Sequence, residues 1–290
     1  NNPVTPVASY TLSEPPSTYA DTFGGATGTG TATTHSPDTP VKQRVSARYM
    51  GGSTQFNGTT STIPTTLTAN TAFTSGFVLH GWIYPRSQGE TNGTIFDKSE
   101  AGVNGHNGFV LRMISNNRIG IAVNNGTDRV SANGAITFMK WQHVIVTVSS
   151  AAVATVYING VQTGTPGTTG ALSGIITANP LTIGNRSTAT DRTFDGSLAE
   201  LGIISLTGRG DLTAAEITAL YTSSIRPTGA TNFWELDEQP STYTDSIGGN
   251  TGTGTATTHS PDTPVQQRVA VRDMGTALRF DGSSDFVTMT

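Results

Sequence analysis

The residues of this chain that come closest to a catalytic arrangement are the carboxylates of the segment Trp234-Glu235-Leu236-Asp237-Glu238. Hydrolysis of a sugar bond uses two carboxyl groups that flank the bond. Because side chains of a strand alternate between two faces, the acids of one strand converge on a groove only at every second position. Glu235 and Asp237 meet that condition, but Glu238 is predicted to face the other way. The spacing therefore argues against glycoside hydrolysis.

A long internal repeat weakens the catalytic interpretation further. Residues 12–58 recur without a gap at 236–282, an offset of 224, and residues 27–41 are identical to 251–265. The positions that match Glu235 and Asp237 are Thr11 and Ser13 in the first copy. Two of the acids are therefore absent from the first copy, and we predict that the protein is not an enzyme.

A period of 224 residues is too long for a solenoid unit, so each repeat is expected to be a whole domain of a tandem array. The repeat predicts an N-terminal linker or tail (1–8), a complete domain (9–224), a linker (225–231) and the N-terminal part of a second, incomplete copy (232–290). Apolar side chains of the last segment, including Phe233 and Trp234, lack a partner sheet in this division. We therefore expect partners in further copies or neighbouring repeats, including another subunit by head-to-tail exchange.

Composition excludes several classes of protein. The chain has no cysteine, so disulfides, thiolate metal sites and a cysteine nucleophile play no part. Charged residues make up 12% of the chain and the formal net charge is -4, which gives nucleic acid no basic surface to bind. No apolar stretch is long enough to span a membrane. Abundant threonine and glycine with little charge favour an extracellular protein, which is secreted or displayed on a cell or virion surface.

The pattern of turns and apolar runs predicts an all-β, antiparallel two-sheet sandwich. Asn-Gly and Asp-Gly pairs, which supply the positive φ of tight hairpins, separate short alternating or apolar runs. The predicted strands are residues 76–84, 94–97, 108–114, 118–123, 142–148, 154–158, 180–184 and 197–205. One short C-terminal helix is predicted over 212–221, where Thr213 and Glu216 form a capping box. Residues 24–40 are predicted to be a long loop.

Six segments in order resemble the laminin-G-like jelly-roll domains of the concanavalin A-like lectin/glucanase superfamily. They are residues 76–83, 141–147, 156–160, 181–184, 194–203 and 212–221, with Trp82, Trp141 and Tyr157 as their aromatic landmarks. The resemblance covers about residues 9–224 and recurs from residue 233. It implies two curved sheets packed face to face, and it implies no catalytic activity, because function in such folds depends on the individual site.

The resemblance also implies a candidate calcium site. Many domains of this type hold one Ca²⁺ through carboxylates and backbone carbonyls at a sheet rim. The matching positions here are Asp21, in an early Asp-x-x-Gly loop, and Asp195 and Glu200 in the late Phe-Asp-Gly segment. The alternative is structural: Asp21 caps its turn, Asp195 serves its Asp-Gly turn and Glu200 faces outward.

Two function classes remain for the surface of the module. One is a structural or adhesive repeat of a surface filament, adhesin or phage fibre. The other is carbohydrate binding, including service as a binding module of a secreted multidomain enzyme. The candidate glycan-binding residues are planar aromatics and polar loop side chains: Trp82, Tyr84, Asn104, His106, Asn107, Asn124 and Asn125. Packing of Trp82 and Tyr84 between sheet and loops is the alternative for those two residues.

Overall fold

The structure, a computed structural model, describes residues 52–100, 105–223 and 229–264. Seven further strands in residues 1–47 and 267–290 are described by their backbone alone. The chain divides into a larger unit, Arg48–Gln266, and a smaller unit made of Asn1–Ala47 and Gln267–Thr290.

Antiparallel strands make up most of the regular structure in the described part of the chain. In chain order they are β1 (Thr18–Ala20), β2 (Thr27–Thr31), β3 (Thr34–Ser36), β4 (Gln43–Val45), β5 (Ser53–Asn57), β6 (Ile63–Pro64), β7 (Phe77–Pro85), β8 (Thr94–Lys98), β9 (Phe109–Ile114), β10 (Arg118–Val123), β11 (Arg129–Val130), β12 (Gln142–Val148), β13 (Val153–Ile158), β14 (Val161–Thr168), β15 (Thr182–Ile183), β16 (Asp195–Ser205), β17 (Ala230–Trp234), β18 (Thr242–Tyr243), β19 (Gly252–Thr253), β20 (Thr258–Ser260), β21 (Val269–Val271), β22 (Ala277–Arg279) and β23 (Phe286–Met289).

The larger unit is built from two main sheets. One has six strands in the order β11-β10-β9-β8-β15-β6. The other has eight, in the order β14-β13-β12-β7-β16-β5-β20, with β17 paired to β16. Inward side chains of both sheets form one hydrophobic core, which confirms the predicted two-sheet sandwich. Phe73, Phe77 and Phe109 pack with ring centroids 4.8 to 5.4 Å apart.

The outer face of the eight-stranded sheet is covered by the helix α1 (Ala214–Ser223). Ile217 and Leu220 pack there against Val78, Ile145 and Ile204, whose sequence neighbours point into the sandwich core. The backbone N–H of Thr213 donates to Glu216 Oε2 at 2.8 Å, and the N–H of Glu216 donates to Thr213 Oγ1 at 3.2 Å. These two bonds confirm the predicted capping box. In the described part of the chain, no helix has the length and apolar character needed to cross a bilayer.

Positive-φ residues form the tight turns that the Asn-Gly pairs predict. Asn159 (φ 52°) and Gly160 (φ 77°) connect β13 to β14. Asn116 (φ 64°) and Asn117 (φ 53°), which are not an Asn-Gly pair, form a further turn of this kind between β9 and β10. Asparagine and glycine tolerate this left-handed backbone, so these sequences fix the hairpin registers.

The end of the larger unit departs from the division made by the repeat. Residues 229–264 belong to the same unit as residues 52–223. Strand β17 pairs with β16, with Trp234 opposite Leu201, and β20 pairs with β5 and forms an edge of the sheet. Phe233, Trp234 and Leu236 are at most 3% exposed. These apolar side chains are therefore buried in the complete domain, and they do not need the sheet of a second domain to cover them.

The smaller unit contains three short sheets. Their orders are β1-β2-β23, β21-β4 and β22-β3. Strands β2 and β3 fall inside residues 24–40, which the glycine- and threonine-rich sequence predicted to be a loop. The prediction was wrong at these positions because pairing with β23 and β22 outweighs the weak strand propensity of glycine.

Candidate functional site

The acidic segment after β17 lies at the end of a strand. β17 ends at Trp234, and Leu236 has a φ of 60°, so strict alternation does not extend to Glu238. The backbone carbonyl of Glu235 accepts a bond of 3.0 Å from the N–H of Glu200. Glu238 Oε1 accepts a bond of 2.8 Å from the N–H of Thr244. These contacts give the segment a structural role in joining β17 to the rest of the sandwich.

Two of the three candidate calcium ligands lie on β16. The carboxylate of Asp195 accepts bonds from Arg86 Nε at 3.0 Å and Ser87 Oγ at 2.7 Å. Glu200 is 6% exposed and sits in a bulge of the strand, where its φ is 52°. Within the described residues, no group of three or more His, Asp or Glu side chains is arranged to hold a metal ion. Calcium stays a prediction, and at Asp195 the ion would share or compete for a carboxylate that already accepts Arg86 and Ser87.

Asp21, the third candidate, lies outside the described residues, but its repeat counterpart Asp245 is described. The carboxylate of Asp245 is buried and accepts the backbone N–H groups of Phe233 at 2.8 Å and Gly248 at 2.9 Å. The side-chain amide of Asn232 also donates to it, at 2.6 Å. Burial raises the pKa of Asp245, but these donors more than compensate, so its net pKa lies below the usual range. Asp245 therefore organises the turn that follows β17.

The aromatic candidates Trp82 and Tyr84 lie on β7, away from the loop candidates. Trp82 is 6% exposed, and its ring centroid lies 5.0 Å from that of His143 and 5.9 Å from that of Tyr221 on α1. Tyr84 is half-buried and packs on Trp141 at 5.5 Å. Burial, and then the neighbouring His80, keeps the pKa of His143 well below its usual value. This neutral aromatic cluster packs α1 onto the sheet.

The loop candidates come together at one end of the six-stranded sheet. Asn107 (φ 51°) precedes β9, whereas Asn124 (φ 43°) and Asn125 (φ 59°) follow β10. The N–H of Asn124 donates to Gly108 O at 2.8 Å, which joins the two loops. Asn104 lies outside the described residues. The structure therefore brings His106, Asn107, Asn124 and Asn125 to one rim.

Glu100 completes this group, which we call the polar rim: Glu100, His106, Asn107, Asn124 and Asn125. Glu100 Oε2 accepts the side-chain amide of Asn107 at 2.7 Å and lies 3.7 Å from His106 Nδ1. The side chains of Glu100 and His106 are both 43% exposed. A carboxylate, an imidazole and the side-chain amide of Asn107 thus lie side by side and in partial contact with solvent.

A third loop, residues 171–177, is hydrogen-bonded to the two loops of the polar rim. The backbone carbonyl of Asn107 accepts the N–H groups of Ile176 at 3.0 Å and Thr177 at 2.9 Å. The side-chain amide of Asn124 reaches Ala171 O at 3.4 Å, just before the short 3-10 helix Leu172–Gly174. Ile176 is 65% exposed, so an apolar side chain borders the polar groups.

A charged cluster on the outer face of the six-stranded sheet borders the same loops. Arg112 on β9 pairs with Asp128 at 2.8 Å, which ties the loop after Asn125 to the sheet. Asp97 on β8 is fully buried and accepts Ser99 Oγ at 2.8 Å and Ser187 Oγ at 3.1 Å. Burial raises the pKa of Asp97 to about 6 despite these hydroxyl donors.

Sequence reasoning missed Glu100 and the cluster around Arg112 and Asp97. Arg112 and Asp97 each interrupt an otherwise apolar strand, and a charge inside such a strand is a usable signal of a partner on the outer face. Glu100 had no comparable signal, because an exposed carboxylate after a strand is ordinary.

Comparisons with known proteins agree with the sandwich. The family model of the concanavalin A-like lectin/glucanases superfamily, of laminin-G type, matches residues 56–218. No curated protein matches the chain in sequence.

Two solved structures share the fold. A candidate carbohydrate binding protein from Bacteroides ovatus is 17% identical with a TM-score of 0.56, and the match covers 74% of this chain and 61% of that one. The heptameric SAP-like pentraxin of Limulus polyphemus is 15% identical with a TM-score of 0.52, and the match covers 76% of this chain and 100% of that one. Identities this low show the fold alone. The family match spans more than half of the sequence and the sandwich agrees with it, so this chain belongs to the concanavalin A-like lectin/glucanases superfamily.

Proposed function

We propose that this chain is a non-catalytic carbohydrate-binding module, repeated along an extracellular structural or adhesive protein, and that the polar rim holds the glycan. The observation that carries the proposal is the partly exposed group of Glu100, His106 and three asparagines, on loops that are hydrogen-bonded to one another at one end of the sandwich.

The chemistry of the polar rim suits a sugar. A carboxylate accepts hydrogen bonds from hydroxyl groups, whereas an amide both donates and accepts. Ile176, which is 65% exposed, offers an apolar contact to the C–H face of a sugar ring. A binding site of this kind needs a few well-placed polar groups beside an apolar surface.

The loops that contain the polar rim are preorganised for binding. The left-handed backbone of Asn107, Asn124 and Asn125 sets the direction of each loop. Bonds between Asn124 and Gly108, and between Ile176 and Asn107, then join the three loops to one another. Preorganisation lowers the entropy cost of binding, which matters for a small polar ligand.

The absence of catalysis is supported by the acidic segment, where Glu238 accepts the N–H of Thr244 and Glu235 directly follows β17. The fold similarity to a candidate carbohydrate binding protein supports a binding role. A binding module of a secreted multidomain enzyme is the alternative context for the same site.

The internal repeat supports the second part of the proposal, that the module is repeated along an extracellular structural or adhesive protein. The complete domain and the repeated flanking sequences fit a surface filament, adhesin or phage fibre, in which identical modules lie in series. The expected partners are neighbouring copies and a cell-surface glycan. Many weak sites along such an array gain avidity because each bound site raises the effective concentration of the next.

Binding to a panel of neutral and acidic oligosaccharides tests the proposal. The variants Asn107→Gly and Asn125→Gly remove an amide while glycine keeps the left-handed backbone. Each should weaken binding about tenfold, which corresponds to about 1.4 kcal/mol. The matched control is Asn92→Gly, because Asn92 also has a positive φ (58°) but lies at the other end of β8.

A parent protein that binds no oligosaccharide of the panel contradicts the carbohydrate proposal and leaves the structural repeat. Equal losses in Asn92→Gly and the two rim variants contradict the location of the site. Selective loss in the rim variants supports both.

A further inference from the structure

Five strands of the smaller unit pair in the register of the complete domain. Within the larger unit, β20 pairs with β5 so that Ser260 lies opposite Ser53 and His259 opposite Thr54. In the smaller unit, β3 pairs with β22 so that Ser36 lies opposite Ala277 and His35 opposite Leu278. Adding 224 to the positions on β3 and subtracting 224 from those on β22 converts each pair of the smaller unit into a pair of the larger one.

A second pair of strands follows the same rule. In the smaller unit, β2 and β23 pair with Thr31 opposite Phe286 and Gly28 opposite Met289. The corresponding contacts of the larger unit are the bridges of Thr255 with Thr62 and of Gly252 with Thr65. The hairpin of β1 and β2, with Thr18 opposite Thr29, likewise matches β18 and β19, with Thr242 opposite Thr253.

These matches assign five strands of the smaller unit to parts of the repeat. We call β18, β19 and β20, with their counterparts β1, β2 and β3, the closing strands. We call β5 and β6, with their counterparts β22 and β23, the opening strands. In the larger unit both sets come from the same copy and lie about one domain apart in sequence. In the smaller unit the closing strands precede the complete copy and the opening strands follow it, so they come from two different copies.

The sequences of the strands themselves therefore determine the register. The register is the same whether the opening and closing strands belong to the same copy or to different copies. A one-residue slip would turn every side chain to the opposite face, so register is a strict test of recognition. Opening and closing strands from different copies meet this test at both strand pairs. The two sets also present exposed strand edges when they are apart, which is a ready template for another chain.

We propose that this pairing is the contact between copies: the closing strands β1, β2 and β3 of one chain pair with the opening strands β22 and β23 of a second chain, in the register of the complete domain. The closing set then lies before the complete domain in sequence and the opening set lies after it. Such a contact is heterologous, so it links chains head to tail. This inference does not depend on the carbohydrate site.

Cysteine cross-linking in the full chain tests the contact, and the natural sequence has no cysteine to interfere. One chain carries Thr29→Cys and a second, differently tagged chain carries Thr288→Cys, because Thr29 lies opposite Thr288. Paired residues of antiparallel strands have Cα atoms about 4.5 to 5.5 Å apart, within the range that a disulfide accepts. The register control replaces Thr288→Cys with Val287→Cys, because position 287 lies opposite Gly30 and is one residue out of register with Thr29. A single chain with Thr62→Cys and Thr255→Cys is the positive control, since that pair bridges within the larger unit.

We expect the mixture of Thr29→Cys and Thr288→Cys chains to give at least about fivefold more tagged heterodimer than the Val287→Cys mixture. Equal yields from the two mixtures would overturn the proposal, because random collision would explain both. A chain that carries both Thr29→Cys and Thr288→Cys and closes only on itself, while the mixture gives no heterodimer, would also overturn it, because the pairing would then stay within one chain.

Discussion

Trp234 gives the sharpest test of the finding that residues 229–264 close the complete domain. Its side chain is fully buried in the core shared by both sheets, and its Nε1 donates to Asn250 O at 2.9 Å. Replacing a buried tryptophan by alanine costs about 3 to 5 kcal/mol, and the lost hydrogen bond adds about 1 kcal/mol. We therefore expect Trp234→Ala to lower the free energy of unfolding of the larger unit by about 5 kcal/mol. For a unit of this size, that loss lowers the melting midpoint by about 10 to 20 °C.

The assay is thermal unfolding followed by tryptophan fluorescence. The chain has three tryptophans, so in Trp234→Ala the signal comes from Trp82 and Trp141, which lie outside residues 229–264. The control is Ile247→Ala, because Ile247 belongs to the same segment but is 38% exposed. It should change stability by no more than about 1 kcal/mol.

The result that would refute this assignment follows from the domain boundaries predicted from the repeat, in which residues 232–290 begin a second copy. If residues 232–290 formed a separate domain, the signal from Trp82 and Trp141 would melt at the same temperature in the parent and in Trp234→Ala. An unchanged midpoint would therefore refute the assignment of this segment to the larger unit.

Three further outcomes are expected. Asp245→Asn should destabilise the protein more at pH 7 than at pH 3 in urea unfolding, because the pKa of Asp245 is lowered in the folded state, so its stabilisation holds at neutral pH and fades below about pH 4; a difference independent of pH contradicts this. Thr213→Ala should cost about 1 kcal/mol by removing the capping box of α1, whereas Thr222→Ala at the far end of the helix should cost less, and equal costs speak against the cap. The parent should release no reducing sugar from β-glucans, and a release that Glu235→Gln abolishes would show catalysis.

Local sequence signals predicted the strands and the helix because each of them is determined by its own residues. Residues 118–123 and 142–148 were predicted with the bounds that the structure has. Asn159 and Gly160 form the predicted turn, and Thr213 with Glu216 caps the predicted helix. In each case the deciding interaction lies within a few positions of the residue that specifies it.

The candidate site was predictable only in part, because its members meet through the fold. In the sequence, Asn107 before β9 and Asn124 and Asn125 after β10 are ordinary turn residues. Both ends of the β9–β10 hairpin have asparagines, so residue type alone does not indicate which end is a site. Their meeting at one rim depends on the bond from Asn124 to Gly108 and on the support of residues 171–177. The aromatics Trp82 and Tyr84 share the strand β7, in which every residue except the half-buried Tyr84 is buried, and the position of Tyr221 on α1 contributes to covering Trp82.

The boundary of the domain illustrates a physical limit of reading a repeat from sequence. An offset of 224 residues fixes the length of the repeating unit, but a window of that length can start at any residue and give the same offset. The starting point is set by which strands complete the sheets. Trp234, Leu236 and Tyr243 fill the core of the copy that precedes them in sequence, so a copy ends after its closing strands and the next begins at its opening strands. The first 47 residues and the last 24 form the smaller unit, and its strand pairs β2–β23 and β3–β22 have the register by which the complete domain closes itself.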